Sequence, residues 1–326
     1  MKTPVLALAL LSILILTSPL TALSGAGDRA LPLSNISASI TVDGDPDEWG
    51  VFDCTGKAPG LHLETVNGIP QWIWCDPQRD ERTDFVNPDP RVDLLQFRVT
   101  ADENYLYGLI IINSMNFNIG DNGATIVAIA INRNGSTTGE EWFSGDSETR
   151  VSSNGVWQYQ MVVNLADSRY QDITQVTDGL QSNWGGIFYI VDSTWSHMTD
   201  GDSMVGADVS NNAVEFMVKW DTIGGVPSGG SFFLRISLIT GRGWSNYDGN
   251  GGGFWDVGNA SDALDAVTET GPNTWEEVQD GVVDYYIDLY FETTPPYYPV
   301  PEPGLLIGVA TAVSVFAMLF LLKRRK

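Results

Sequence analysis

The stretch at 241–256, Gly-Arg-Gly-Trp-Ser-Asn-Tyr-Asp-Gly-Asn-Gly-Gly-Gly-Phe-Trp-Asp, sets three aromatic rings among amides and carboxylates. Trp244, Tyr247 and Trp255 supply flat apolar faces of the kind that stack on the axial C–H groups of a sugar. Asn246, Asp248, Asn250 and Asp256 supply partners for its hydroxyls, so the mixture suits carbohydrate recognition. The glycines let backbone come close to a ligand. Trp184 and Trp195 flank another short apolar run and offer a second ring face. The same tryptophans could instead plug the ends of a β-sandwich, and the residues leave both uses open. Trp49, Trp157 and Trp220 lie in strand-like segments and are assigned to the core. Trp72 and Trp74 could serve either purpose.

Asp43, Asp45 and Asp47 alternate, a spacing that can place hard oxygen ligands around one Ca²⁺ in a loop. No glutamate stands at the twelfth position of a suitable loop, and Pro46 departs from the EF-hand pattern. These acids could equally cap the turn after a first strand. Asp200, Asp202 and Asp208 form a second, weaker acidic loop. Catalytic motifs are scarce. The two histidines, His62 and His197, have no triad context, and there is no zinc-helix motif, P-loop or dinucleotide fingerprint. A glycosidase requires only two carboxylates about 5–10 Å apart, and with 41 acids such a pair can be neither excluded nor located. No nucleotide cofactor is expected.

These side chains need a scaffold, and its pattern is β. Period-2 or β-branched runs occur at 39–42, 94–100, 105–113, 125–132, 156–165, 187–191, 213–219, 232–240 and 282–292, with Gly, Asn and Asp turns between them. The run at 94–100 and the run at 105–113 form a predicted hairpin, and Asn134-Gly135 is a turn dipeptide. In the 156–165 run, Trp157, Tyr159, Met161 and Val163 are predicted to share a face. Residues 221–224 suggest one helical turn. Such a set predicts an all-β, antiparallel, jelly-roll-like β-sandwich spanning 27–292. Three long connections, 51–91, 192–210 and 241–279, stand out as functional or specially ordered. Cys54 and Cys75, the only cysteines, are expected to pair, closing a loop worth about 3 kcal/mol.

Both ends are apolar. Residues 1–26 have the basic start, apolar core and small-residue end of a secretory signal peptide. At the other end, a Pro-rich stalk at 293–303 precedes an uncharged run at 304–322 and the basic 323–326. At 1.5 Å per residue a helix of that length just spans a hydrocarbon core of about 30 Å. The terminal cations are expected on the cytoplasmic side. Removing 1–27 and everything after Pro303 takes away five cations and no acid, so the formal charge goes from −24 to −29. Such a body repels phosphate backbones, which argues against nucleic acid as a partner. Asn35, Asn134 and Asn259 begin sequons that a host with the machinery could glycosylate.

Two family resemblances follow. Pro301-Glu302-Pro303, the apolar run and the basic end resemble the PEP-CTERM sorting signal, which implies processing by an exosortase-type membrane enzyme. Ile40-Thr-Val-Asp-Gly44 with Asp47-Glu48-Trp49, then the stretch from Arg98 to Tyr107, then Val214-Glu215 through Gly224 resemble blocks of the family 9 carbohydrate-binding module and its DOMON-like relatives. That resemblance implies a sandwich that holds ligand at one end with aromatic rings, and calcium in some members. Haem-binding relatives use axial His or Met, and with only two histidines haem is not expected here. The resulting expectation is an exported, membrane-anchored or sorted, non-catalytic polysaccharide binder of the cell envelope or matrix. A structural or adhesive matrix protein and a secreted glycosidase are the alternatives.

Overall fold

The computed structural model describes residues 30–33, 40–55, 57, 60–82, 89–118, 123–169, 171–179, 185–245, 252–258, 261–267 and 278–293. Two large sheets face each other. The first runs in the order β1 (Leu31–Leu33), β17 (Ile287–Thr293), β13 (Gly230–Trp244), β6 (Ala124–Arg133), β8 (Tyr159–Asn164) and β10 (Phe188–Asp192). Two short strands, β14 (Gly253–Phe254) and β15 (Asp265–Ala266), also pair with β13. The second sheet runs β2 (Gly60–Val66), β3 (Ile69–Cys75), β4 (Leu94–Ala101), β5 (Tyr105–Ile112), β12 (Ala213–Lys219), β11 (Met204–Asp208) and β9 (Ile173–Thr177). A separate two-stranded parallel ribbon joins β7 (Arg150–Val151) to β16 (Val282–Val283).

The main core lies between the sheets. Val127, Ile129, Met161, Leu234 and Leu289 from one meet Trp72, Phe97, Val99, Ile110, Val214 and Phe216 from the other. Each sheet is also covered on its outer face. Over the first, Phe143, Trp157, Phe254 and Ala263 pack on Ile126, Ala128 and Ile239. Over the second, Ile40 and Trp49 pack on Ile69, Tyr107 and Leu109. Strands buried on both sides lose the alternation of a half-exposed sheet, and β6 is buried along its length except at Arg133.

The predicted hairpin is β4–β5, with Phe97 opposite Ile110. The Asn134-Gly135 turn follows β6 with both residues at positive φ, 55° and 64°. The predicted helical turn is a 3-10 turn at Trp220–Ile223. Cys54 and Cys75 are joined. Other expectations shift. Residues 40–42 form no strand, because they lie over the second sheet as a cover. Trp157 leaves the face of Tyr159, Met161 and Val163, since β8 begins only at Tyr159 and Trp157 packs in the outer layer. The long connections 51–91 and 192–210 contain β2, β3 and β11, and β13 extends through the first four residues assigned to the Gly-rich loop. No helix among the described residues is long and apolar enough to cross a membrane. Thr293, assigned to the stalk, is the last residue of β17, paired with Leu33 and Gly230. The expected signal peptide, the rest of the expected stalk and the expected 304–322 span fall outside the described residues.

One carboxylate fastens the cover to the second sheet. Glu215, fully buried on the outer face of β12, accepts N–H from Asp43 at 3.1 Å, Gly44 at 2.8 Å and the Trp49 indole at 2.7 Å. Arg98 adds bonds to the carbonyls of Trp49 and Gly50 and to Gln71. Gly44, at φ 86°, has no room for a Cβ against the backbone of Ala207 and Asp208, so cover and β11 are in contact. Asp43 and Asp45 turn their own carboxylates onto the amides of Asp45 and Asp47, capping the 3-10 turn Pro46–Trp49.

Burial pushes the Glu215 carboxyl up to about 7 against the pull of its three donors. A raised folded pKa favours the native state below the unfolded value and loses that contribution as pH rises through about 7. Wild type is therefore expected to lose on the order of 3 kcal/mol between pH 4.5 and 8 from this group. Glu215→Gln should lose that part of the pH dependence and be destabilised by about 1–3 kcal/mol, because its NH2, whichever way the amide is turned, would face an N–H donor, either Asp43 and Gly44 or the Trp49 indole. Urea unfolding of both proteins across this pH range checks it; parallel curves would contradict it.

Candidate functional site

The end of the sandwich where β13 meets β14 collects the chemistry. Trp244 stands opposite Gly253 and Gly243 opposite Phe254, and the Trp255 amide donates to the Arg242 carbonyl at 2.7 Å. Opposed residues of an antiparallel ribbon point to one side, and side chains alternate along it. Arg242, Trp244 and Trp255 therefore share a face, while Phe254 turns into the outer core. Trp255 is 38% exposed. Trp244 is half-buried, its indole N–H donating to the Phe254 carbonyl at 3.1 Å. Its own carbonyl accepts from Asn164 at 3.0 Å. Next to it, the Ser245 hydroxyl bonds Asp167, which also takes the Gly186 amide.

A buried acid anchors this ribbon. Asp89 accepts Arg242 Nε at 2.6 Å, and Arg91 Nε and Nη2 at 2.7 and 2.9 Å. Burial pushes the Asp89 carboxyl up, but the two guanidiniums outweigh it and hold it below the usual range. Beyond Trp255, exposed Asp256 and buried Asp262 add negative charge. Burial first, then Glu148 and Asp256, push the Asp262 carboxyl to about 7.

At the same end, where Thr240 pairs with Asp265 and its hydroxyl bonds the Val92 carbonyl, a second acidic group bridges the sheets. Asp76, Asp80 and Asp265 each bring one carboxylate oxygen within 4.8 Å of the others. Asp76 follows β3, Asp80 lies in the next turn and Asp265 is in β15. Asp265 takes the amides of Leu94 and Ala266, and Asp76 takes the Trp74 indole N–H at 2.9 Å. Burial, then the charges of Asp265 and Asp80, push the Asp76 carboxyl well up. Asp93, bonded to the Arg79 amide and to Asn113, lies alongside. Glu81 is 3% exposed, and burial first, then Asp93 and Asp80, push its carboxyl up against the backbone amides of Glu81 and Asp89.

The structure thus brings Trp244 and Trp255 together. Asn246, Tyr247, Asp248, Asn250 and Trp184 lie outside the described residues, as do Pro301, Glu302 and Pro303 and the sequons at Asn35 and Asn259. Asn134 is exposed in its turn. Trp195 is elsewhere, edge-on to Trp157 at 5.4 Å with its indole on Glu140. Trp72 and Trp74 are buried. Asp43, Asp45 and Asp47 make no three-carboxylate group; among the described residues that group is Asp76, Asp80 and Asp265. Sequence reasoning passed over this trio because its members are scattered from 76 to 265 with no shared motif. It also passed over Trp142, 49% exposed beside Arg150 on the outer layer, whose only signal was its residue type. A separate cleft of about 480 Å³ lies beside the disulfide, lined in part by Phe52, Lys57, Gln78 and Gln96.

No family model matches the chain, and no curated protein matches it. Among solved structures, a carbohydrate binding module family 9 (CBM9) from Caldicellulosiruptor kristjanssonii in complex with cellotriose aligns over 84% of this chain and 98% of that one. The identity is 10% and the TM-score 0.30.

Asp89 is predicted to hold the 89–93 segment against the ribbon. Asp89→Ala should cost about 2–4 kcal/mol in urea unfolding, because two guanidiniums lose their shared buried carboxylate. A cost below about 0.5 kcal/mol would contradict that role.

Proposed function

We propose that this chain is a non-catalytic β-sandwich that holds extracellular polysaccharide at the β13–β14 end. One observation carries the proposal. The strand register sets Trp244 and Trp255 on a common face, with the Trp255 ring open to solvent and Arg242, Asp89 and Asp256 close by in the chain or by hydrogen bond. A ring pair with adjacent charged and amide groups is what a sugar chain requires, apolar faces for C–H groups and polar atoms for hydroxyls. Asn246, Tyr247 and Asp248, which lie between β13 and β14 in the sequence, are proposed to complete it. The strongly acidic body fits a neutral glycan better than a phosphate polymer.

Export, anchoring through 304–322 and processing by an exosortase-type enzyme belong to the same proposal and rest on the two ends of the sequence. A purely structural matrix protein is the competing reading. It would be favoured if both tryptophans were buried, and Trp255 is not.

Affinity electrophoresis of the full-length protein against a panel of neutral polysaccharides tests the proposal. At least one should retard the wild type. Trp255→Ala should weaken that binding about tenfold or more, in keeping with the loss of 1–2 kcal/mol of ring contact. Trp142→Ala should leave it unchanged. Equal mobility of wild type on every polymer would overturn the proposal, and release of new reducing ends would replace it with a glycosidase.

A further inference from the structure

The cover on the first sheet thins out over β17 and the start of β13. Phe143, Trp157 and Phe254 lie over Ile126, Ala128 and Ile239, and the Asn154 carbonyl, taking Arg235 Nη1 at 2.8 Å, marks the border. Past that border β17 alternates: Ile287, Leu289, Phe291 and Thr293 are buried, while Asp288, Tyr290 and Glu292 face outward. One face is in the core and the other is open. Phe233 and Tyr290 stand directly opposite each other on the open face, ring centroids 5.3 Å apart, while Phe232 and Phe291 turn into the main core. Tyr290 is 42% exposed. In the next pair along, Arg235 binds Asp288 through Nε at 2.9 Å and Nη2 at 3.0 Å. Its guanidinium lies 3.6 Å from the centre of the Tyr286 ring and 5.9 Å from that of Phe233. Tyr290, Phe233, Arg235 and Tyr286 thus form one row of planar groups across the sheet.

The chemistry of this row selects its partner. The rings offer flat apolar faces to C–H groups, and the tyrosine hydroxyls donate to and accept from hydroxyls beside them. The Arg235 charge is matched by Asp288, so the row has no free cation for an acidic polymer. Strand β17 is flanked by β1 and β13, which leaves no open backbone edge there to take up a peptide strand. Outward Glu292 and the strongly acidic body repel a second copy of the chain, and an anionic lipid surface equally. An uncharged polymer with repeated flat faces fits. Stacking and the two-pronged ion pair hold the row in place beforehand, so little side-chain freedom is lost on contact.

We infer that the outer face of β13 and β17 is a second polysaccharide-contact surface, on which an extended neutral chain lies over Tyr286, Phe233 and Tyr290. It is separate from the β13–β14 end and does not depend on it. Phe233 is near the start of β13 and Trp244 is its last residue. At about 3.3 Å per residue they are roughly 35 Å apart along the strand. One body then holds two chains, or two stretches of one, which raises the apparent affinity for polymer and leaves that for a short oligosaccharide unchanged.

The test is depletion of the full-length protein from solution by suspended cellulose, chitin and starch granules. Trp255→Ala should still be removed by at least one of these solids. Adding Tyr286→Ala/Tyr290→Ala to it should weaken that removal about tenfold or more. If Trp255→Ala matches wild type on every solid and every soluble polymer, the ring pair at the β13–β14 end fails and this surface stands. Should the double tyrosine variant fail to fold by circular dichroism, Tyr290→Ser alone serves, since its backbone carbonyl keeps the Trp72 indole bond. It should weaken removal about threefold or more. No depletion of Trp255→Ala by any solid, or depletion undiminished by the tyrosine changes, would overturn the assignment. So would a wild-type dimer in sedimentation that the tyrosine changes dissolve while depletion stays the same, because the face would then join two copies.

Discussion

The fold depends on satisfying a carboxylate buried beneath a sheet. Glu215 occupies the outer face of β12, where a half-exposed sheet would present it to water. Here the 40–50 segment lies over that face, and three N–H groups from it converge on the two oxygens. A buried carboxylate without such partners would cost several kcal/mol. The segment can therefore take only the path that delivers the Asp43 and Gly44 amides and the Trp49 indole to Glu215. Arg98 closes the arrangement by taking the carbonyls that the same turn leaves over. Residues far apart in sequence are in this way tied to one position over the second sheet.

The same logic of double coverage explains the rest of the layout. The first sheet is covered by Phe143, Val151 and Trp157 together with Phe254, Ala263 and Ala266, and the second by Ile40 and Trp49, so of the three long connections only 241–279 contributes a covering layer, while 51–91 and 192–210 contribute strands. Covering both faces fixes the edges of the sandwich as the places where polar groups can gather. At one such end, β13 runs past the core and carries Arg242 and Trp244 beyond it, while the 76–94 segment brings acids from the opposite sheet. The ring pair and the carboxylate group are neighbours there because both hang on β13, one through β14 and the other through β15.

Much of this was legible in the residues. The β4–β5 hairpin, the Asn134-Gly135 turn and the disulfide follow from local pattern or composition; Trp49 and Trp220 are buried as their family-like blocks implied, and Trp157 is buried too, though on the opposite face from the one its alternation gave. What escaped was whatever depends on a second covered face. Strands such as β6 carry apolar or small residues at nearly every position, so period 2 gives no direction. The β2–β3 hairpin is the exception: Leu61 and Leu63 alternate with His62 and Glu64, and Asn67-Gly68, both at positive φ, is the turn dipeptide that should have announced it. Sites assembled from distant segments leave no local signal at all. Asp76 and Asp265 share no motif and meet only because β15 adds to β13. Trp244 and Trp255, in contrast, were close in sequence, and a hairpin needed only to close for them to share a face.

The central claim, that the β13–β14 end is the ligand-binding surface, is tested most directly by hydrogen-exchange mass spectrometry with and without a bound polysaccharide. The account predicts slowed exchange in peptides covering 89–94 and 242–256, with no change around Glu140, Trp142 and Trp195. Protection confined to that outer tryptophan face, or to the cleft beside Cys54 and Cys75, would contradict it.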